Sequence, residues 1–245
     1  MIVKTQSFEL AIYGAGDEAS SKLALVLPGR LDTKDYANMR SHVDYLATKG
    51  FYAISFDPPG TWDSPGGISL YTTTNYLLAI NELIEHYDNK PTLVIGHSRG
   101  GSMALLAGTR NQYVTHMVAV MSHHGATTVG LPDHEGESVK SLRDLPPGTS
   151  RTIEKKEFML PYAYFEDQLH YDSLEDLKTC DKPKLLFYGT DDVLVTPDSV
   201  KAMYEASADP KMLHELRTEH DYRLHADMID EVNQTIGQFL AKYSE

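Results

Sequence analysis

The sequence predicts an α/β fold, in which a mainly parallel central sheet carries helices on both faces. Two observations lead to this prediction. Short apolar runs alternate along the chain with segments whose apolar residues recur at helical spacing. The runs are apolar at nearly every position, not at every second one, which is typical of strands that are buried on both faces.

The individual elements follow from the same patterns. Residues 2–13 alternate polar and apolar side chains, which predicts two short antiparallel strands. The run Leu23–Leu27 ends at Pro28-Gly29 and is predicted to be a buried strand. Further strands are predicted at residues 52–56, 92–95, 117–121, 184–188 and 212–216. Helices are predicted at residues 36–46, 76–87, 103–108, 197–206 and 228–240.

One long interruption of this alternation lies between His123 and Lys182. These roughly 60 residues contain many charges and the turn Pro146-Pro147-Gly148, and structureless loops of that length are uncommon in compact domains. We therefore expect one domain over residues 1–245, with a cap or lid inserted at approximately residues 123–182. An aromatic patch in it either walls an apolar pocket or packs the cap onto the domain. The patch consists of Phe158, Tyr162, Tyr164, Phe165 and Tyr171.

Charge and composition restrict the possible partners and location. With 22 Lys and Arg against 35 Asp and Glu, the net charge is -13, which disfavours binding to nucleic acid or to anionic lipid. Cys180 is the only cysteine, so an internal disulfide is impossible. The chain has no apolar run of 18 residues and no signal-like start, which predicts a cytoplasmic protein without a membrane span.

The pattern Gly96-His97-Ser98-Arg99-Gly100 contains a candidate serine nucleophile, Ser98. It directly follows a predicted buried strand and precedes a predicted helix, and this strand, sharp turn, helix arrangement exposes a nucleophilic serine hydroxyl. Residues two positions either side of the serine must be very small, as the two glycines are. The alternative is an ordinary tight turn in which Ser98 caps the helix.

A serine nucleophile needs a base, and the base needs an acid that orients it. The loop after the predicted strand 184–188 contains Asp191 and Asp192, and His220 follows the next strand. His225 is a second candidate base, although it falls at the start of the final predicted helix. The chain order serine, aspartate, histidine is the one that this chemistry uses on α/β sheets.

With these motifs, the chain resembles the α/β-hydrolase superfamily, particularly its compact esterase and acylglycerol-lipase-like members, over roughly residues 20 to 243. The resemblance implies an α/β-hydrolase fold with an inserted cap or lid. It assigns the acid to Asp192, through the pattern that includes Gly189 and Val195, with Asp191 as the alternative. It assigns the base to His220, although Glu219 stands where the family usually has glycine.

The resemblance also implies an oxyanion hole formed by backbone N–H groups. One donor is the N–H of Arg99, which follows the nucleophile. The other comes from the loop after Leu23–Leu27, where the family usually carries His-Gly and this chain has Pro28-Gly29, so Arg30 is assigned and Leu31 is the alternative. The two arginine side chains are either ordinary surface charges or contacts for an anionic group of the substrate.

Other polar and aromatic residues receive less specific interpretations. Trp62, in a turn that begins at Asp57, either lines the acyl site or packs under the loop. The adjacent His123 and His124 follow a predicted strand and could contact substrate. A metal site at these histidines or at Asp133-His134-Glu135 is disfavoured, because the spacing matches no zinc signature.

These observations predict a carboxylic-ester hydrolase that acts on a small-molecule ester through Ser98, His220 and Asp192. The reaction passes through an acyl-enzyme intermediate and needs no cofactor or metal. Thioester or amide hydrolysis on the same three residues is the alternative, and a non-catalytic ligand-binding module on the same fold is a further one.

Overall fold

A central eight-stranded sheet organises the protein, of which the computed structural model describes residues 1–125 and 136–243. Its strand order is β1-β2-β4-β3-β5-β6-β9-β10. The strands are β1 (Ile2–Lys4), β2 (Glu9–Ala15), β3 (Leu23–Leu27), β4 (Tyr52–Phe56), β5 (Thr92–His97), β6 (Val114–Val120), β9 (Lys184–Gly189) and β10 (Lys211–Leu216). The strands β1 and β2 pair antiparallel, and β2 is also antiparallel to β4. All other neighbours are parallel, which confirms the predicted sheet.

Helices cover both faces of this sheet. They are α1 (Ala37–Thr48), α2 (Thr73–His86), α3 (Arg99–Arg110), α4 (Tyr162–Gln168), α5 (Leu174–Leu177), α6 (Pro197–Ala206) and α7 (Ala226–Tyr243). The apolar residues of α1 and α7 form one buried cluster with the sheet, and those of α2, α3 and α6 form another on the opposite face. None of the helices in the described residues combines the length and the hydropathy that crossing a bilayer requires.

The predicted elements agree with the observed ones to within three residues at each end, except at the start of α3 and in the insertion. The helix α3 begins at Arg99, four residues before its predicted start. The prediction started later because Gly100 and Gly101 have low helix propensity, but close packing requires glycine at these positions. The strand β6 begins at Val114, three residues before its predicted start. The prediction missed these residues because they include the polar Thr115 and His116.

The insertion contains a hairpin that the sequence analysis did not predict. The strands β7 (Ser138–Asp144) and β8 (Lys155–Pro161) pair antiparallel, and α4 and α5 follow them. Both strands carry several charged and exposed residues, so apolar and polar side chains do not alternate clearly along them. The hairpin is held to the rest of the protein by Asp144, whose carboxylate accepts a 2.5 Å hydrogen bond from the buried Arg223.

A buried histidine joins the two helices on one face of the sheet to the segment after β10. His42 on α1 lies 2.6 Å from Oδ1 of Asn233 on α7 through Nδ1, and 2.8 Å from the hydroxyl of Tyr222 through Nε2. Burial lowers the pKa of this imidazole to about 4. Tyr222 lies two residues after His220, so this contact also supports the loop that carries the predicted base.

This arrangement predicts that stability decreases in mild acid. An unfolded histidine takes up a proton near pH 6.5, whereas folded His42 does so only near pH 4. The unfolded chain therefore binds more protons between these values, and the contribution of His42 is complete above pH 6.5 and lost as the pH falls towards 4. Between pH 7 and pH 5 it should lower the free energy of unfolding by about 2 kcal/mol.

Urea unfolding of the wild type and of His42→Gln at both pH values measures this contribution. The variant should lose less stability on acidification than the wild type does. The matched control is His86→Gln, at an exposed position, which should retain the wild-type pH dependence. Equal pH dependence in the wild type and His42→Gln would contradict the assignment.

Candidate active site

A cavity of about 400 Å³ opens at the carboxyl ends of the parallel strands. Ser98 and His220 line it, and residues of the hairpin and of α4 form part of its wall. Clefts at this edge of an α/β sheet are the usual position of binding sites, because loops from several neighbouring strands meet there. The functional side chains of the protein are therefore expected among the residues that line this cavity.

A strained turn presents Ser98 to the cavity. Its backbone has φ 52° and ψ −120°, a conformation that non-glycine residues rarely adopt. A Cβ atom on Gly96 would lie 2.1 Å from the backbone of Gly100, and one on Gly100 would lie 2.0 Å from the carbonyl oxygen of Leu27. Both positions therefore require glycine, as the sequence analysis expected. The side chain of Ser98 forms no capping bond to the helix, which argues against a simple N-cap role.

The structure brings Ser98, His220 and Asp192 together in one line of hydrogen bonds. Nε2 of His220 lies 2.9 Å from Oγ of Ser98, and Nδ1 of His220 lies 2.7 Å from Oδ2 of Asp192. A proton on Nδ1, donated to the carboxylate, leaves Nε2 as the acceptor that faces the serine hydroxyl. The serine oxygen is thus placed to lose its proton to the imidazole.

Asp192 is held as a carboxylate. Its other oxygen, Oδ1, accepts hydrogen bonds from the backbone N–H groups of Leu194 at 2.8 Å and Val195 at 2.9 Å. Burial alone would raise the pKa of Asp192, but the hydrogen bond and charge of His220, together with these N–H groups, keep it below its ordinary value. The contact between this carboxylate and Nδ1 orients the ring of His220.

The alternative acid and base lie apart from this line. Asp191 is exposed, and its carboxylate accepts from the hydroxyl of Thr190. His225 lies just before α7 and pairs with Glu219 at 3.0 Å. Neither side chain hydrogen-bonds to Ser98 or His220 in the part of the chain that the structure describes.

His97 supports the base, a role that the sequence analysis did not assign. Its Nε2 lies 2.9 Å from the backbone carbonyl oxygen of His220, and the two rings are 4.8 Å apart. On its other side Nδ1 is 3.8 Å from a carboxylate oxygen of Asp32, and Tyr222 packs edge-on at 5.1 Å. Its place directly before Ser98 and its burial were the available signals, but the contact to residue 220 is visible only in three dimensions.

Of the three candidate oxyanion donors, one N–H group has an acceptor among the described residues and two do not. Leu31, which has φ 58°, donates its N–H to the hydroxyl of Tyr71 at 3.0 Å. The N–H groups of Arg30 and Arg99 have no acceptor among residues 1–125 and 136–243. Two unpaired donors from the two loops flanking the nucleophile are what an oxyanion hole requires, and Leu31 is engaged elsewhere.

The remaining candidates have different environments. Trp62 packs against Tyr36 and Phe158, and its Nε1 donates to the carbonyl of Leu31 at 2.8 Å, so it lies under the loop and not on the cavity wall. His123 lines the cavity, and burial lowers the pKa of its imidazole. His124 instead pairs with Asp172 outside.

No group of three or more potential metal ligands occurs among the described residues. The stretch Asp133-His134-Glu135 lies outside them.

The fold and this geometry define an enzyme-like α/β protein with a serine at the strand–helix turn. A family model for the alpha/beta hydrolase fold matches residues 25–153, which is more than half of the chain. The chain therefore belongs to the α/β-hydrolase fold family. A comparison with curated protein sequences finds no match.

Solved structures of similar fold cover nearly the whole chain. Est1E from Butyrivibrio proteoclasticus with ferulic acid bound has a TM-score of 0.79 at 16% identity and covers 99% of this chain and 98% of its own. Mouse alpha/beta hydrolase domain-containing protein 10 has 0.78 at 18%, covering 100% and 99%. A thioesterase domain from the curacin biosynthetic pathway has 0.70 at 15%, covering 97% and 98%. Identities this low establish a shared fold only.

The close approach around Ser98 predicts a strong dependence on Gly100. In Gly100→Ala the new methyl group meets the carbonyl of Leu27 at 2.0 Å, so α3 must move away from the sheet. We expect this change to lower the free energy of unfolding by about 3 kcal/mol or more. Gly67→Ala is the matched control, because its Cβ would find only Ser69, at 3.8 Å. Similar stability of the two variants in urea unfolding would show that the turn tolerates a side chain.

Proposed function

We propose that the protein is a serine hydrolase that cleaves a carboxylic ester through an acyl-enzyme intermediate. Membership of the α/β-hydrolase family supports a hydrolase. The observation that carries the proposal is the position of His220, whose two ring nitrogens lie within hydrogen-bond distance of Ser98 Oγ and of the buried Asp192 carboxylate. A ligand-binding module would need neither the strained serine nor the paired base.

The first half of the reaction transfers the acyl group to the protein. Oγ of Ser98 attacks the carbonyl carbon of the ester as Nε2 of His220 accepts its proton. The tetrahedral intermediate collapses, the bond to the alcohol oxygen breaks, and His220 returns the proton to that oxygen. Asp192 stabilises the transient imidazolium and keeps Nδ1 protonated.

The second half releases the acid. A water molecule takes the place of the departed alcohol, loses a proton to Nε2 of His220, and attacks the acyl carbon. The bond to Oγ of Ser98 then breaks, and the oxygen recovers the proton from the imidazolium. These steps need no cofactor.

Charge on the carbonyl oxygen develops in both halves. We assign its stabilisation to the backbone N–H groups of Arg30 and Arg99, because both are free of other acceptors in the described parts of the chain, whereas the N–H of Leu31 is bonded to Tyr71. Removal of one such donor in a serine hydrolase typically costs about 10²- to 10³-fold in rate. Substitution of the side chains leaves these backbone donors in place.

An ester is favoured over an amide as the substrate, because an amide needs a protonated leaving amine and a recognition group that the site residues do not suggest. Thioester hydrolysis uses the same steps and is the second candidate, since a thioesterase domain shares the fold. The location of the protein in the cytoplasm stays a prediction from the sequence.

The proposal predicts covalent labelling of one residue. A fluorophosphonate probe should label the folded wild type at Ser98 and should not label Ser98→Ala.

Asp192→Asn should lower the turnover of p-nitrophenyl butyrate by about 10³-fold or more, because Nδ1 of His220 loses the acceptor that fixes its tautomer.

Asp191→Asn is the matched control for the acid, because it removes the neighbouring carboxylate, which is exposed, and should leave turnover within about twofold. A larger effect at Asp191 than at Asp192 would reverse the assignment of the acid. Folded wild type that the probe fails to label would argue for the binding module.

Leaving-group chemistry separates the ester from the thioester and amide hypotheses. We expect kcat/KM to be higher for p-nitrophenyl esters than for acyl-CoA thioesters and p-nitroanilides of the same acyl chain. Each rate is measured against Ser98→Ala as the blank. Faster cleavage of the thioester would assign the protein to the second candidate function.

A further inference from the structure

We propose that the substrate ester carries a separate anionic group in addition to the ester bond, and that the side chains of Arg30 and Arg99 bind this anion in the cavity. The inference rests on the proposed function and specifies its substrate class. Both residues line the cavity, and each lies within or beside one of the two loops that flank Ser98. An anion at this position is part of the ester that reacts, not a ligand of a remote surface.

The two guanidinium groups converge on one aromatic ring. The Cζ atom of Arg99 lies 4.5 Å from the ring centre of Tyr164, and that of Arg30 lies 5.7 Å from it. Arg99 also packs against Tyr71, at 5.2 Å, and Arg30 against Phe165, at 5.5 Å. These rings fix the direction of both side chains. Two like charges are thereby held near each other at the cavity.

Neither guanidinium has a carboxylate partner among the described residues. Arg99 donates to Thr73 Oγ1 at 3.0 Å and to Gln168 Oε1 at 3.3 Å, and Arg30 donates to Ser141 Oγ at 3.3 Å. All three acceptors are neutral. Both Nε atoms are buried and have no hydrogen-bond partner within residues 1–125 and 136–243. Buried donors without acceptors are uncommon in proteins and are costly to leave unpaired.

Each of the other four cations of the cavity wall has a carboxylate partner, which distinguishes these two arginines. Arg143 lies 3.6 Å from Asp32, and Arg151 lies 2.8 Å from Asp221. The remaining two, Lys155 and Arg223, both pair with Asp144. The three carboxylates among the described wall residues are thus all engaged by these four cations.

The charge of the cavity is opposite to that of the whole protein. Six cationic side chains and three carboxylates line it among the described residues, whereas the chain carries a net charge of -13. A negative surface disfavours anions in general, so a local excess of positive charge within the reaction cavity implies selection for one kind of anion. Charged hydrogen bonds in a partly desolvated site are stronger than those on an exposed surface.

A purely structural role, in which the arginines only pack against Tyr164, Tyr71 and Phe165, makes a different prediction. Loss of packing would affect neutral and anionic substrates alike. Loss of an anion subsite would affect only the anionic ones. The ratio of kcat/KM for an anionic ester to that for its neutral match therefore separates the two roles, and any shared effect on the catalytic machinery cancels.

The experiment uses two pairs of substrates. Mono-4-nitrophenyl glutarate and its methyl ester place the charge on the acyl side, and the butyrate esters of 4-(hydroxymethyl)benzoate and of methyl 4-(hydroxymethyl)benzoate place it on the alcohol side. Uncatalysed hydrolysis is subtracted with Ser98→Ala. We expect the wild type to prefer the anionic member of at least one pair by about tenfold or more.

Substitutions test the two side chains directly. In Arg99→Gln and Arg30→Gln the preference should fall by about tenfold, because the backbone N–H remains but the guanidinium is lost. Arg40→Gln removes an exposed arginine on α1 that pairs with Asp35 outside the cavity, and should keep the wild-type ratio. Equal or faster cleavage of the neutral ester in both pairs, or a ratio that is unchanged in both cavity variants, would overturn the inference.

Inhibition of neutral-ester cleavage by free anions provides a measurement that does not depend on the variants. Glutarate and inorganic phosphate are compared as competitive inhibitors with neutral glutaramide, and stronger inhibition by glutarate or by phosphate identifies the carboxylate or the phosphate as the preferred group. No stronger inhibition by either anion than by glutaramide counts against the subsite. If the probe labels Ser98 and neutral esters react without any preference for anions, only this inference fails. If neither labelling nor ester cleavage occurs, the proposed function itself fails.

Discussion

The close approach of α3 to the sheet at Ser98 is the constraint on which the rest of the site depends. A Cβ atom on Gly100 would lie only 2.0 Å from the carbonyl oxygen of Leu27, so the first turn of the helix packs directly against β3. This contact keeps the serine at φ 52° and its oxygen above the strand ends. It also directs the N–H of Arg99, at the positive end of the helix dipole, towards the cavity side of the turn. Strain at one residue is thus balanced by packing along two elements.

Support for the base comes from a second, separate set of buried contacts. His97 binds the backbone carbonyl of His220, and Tyr222 packs on His97 and bonds to His42 on α1. His220 is therefore held at its main chain by His97, in addition to the Asp192 carboxylate that contacts its ring. Both ring nitrogens of His220 lie within hydrogen-bond distance of a partner, which is Asp192 for Nδ1 and Ser98 for Nε2.

Much of the fold and the line of three residues could be predicted from the sequence, because both depend on local signals. The strand Leu23–Leu27 is apolar at each position and was predicted to the residue, and Ser98, Asp192 and His220 each follow a strand. The hairpin of β7 and β8 escaped prediction because its charged strands lack apolar contrast. That Arg30 and Arg99 have no carboxylate partner in the described parts of the chain depends on pairings between distant residues, such as Asp144 with Arg223, and no local pattern encodes it.

Tyr71 links the insertion to the loop that carries Arg30. Its hydroxyl accepts the N–H of Leu31, and its ring stacks on Tyr164 of α4 at 5.3 Å. The side chain of Tyr71 therefore connects α4 with the backbone of the loop beside Ser98. We therefore expect substitutions that reshape this wall also to change the backbone geometry beside Ser98.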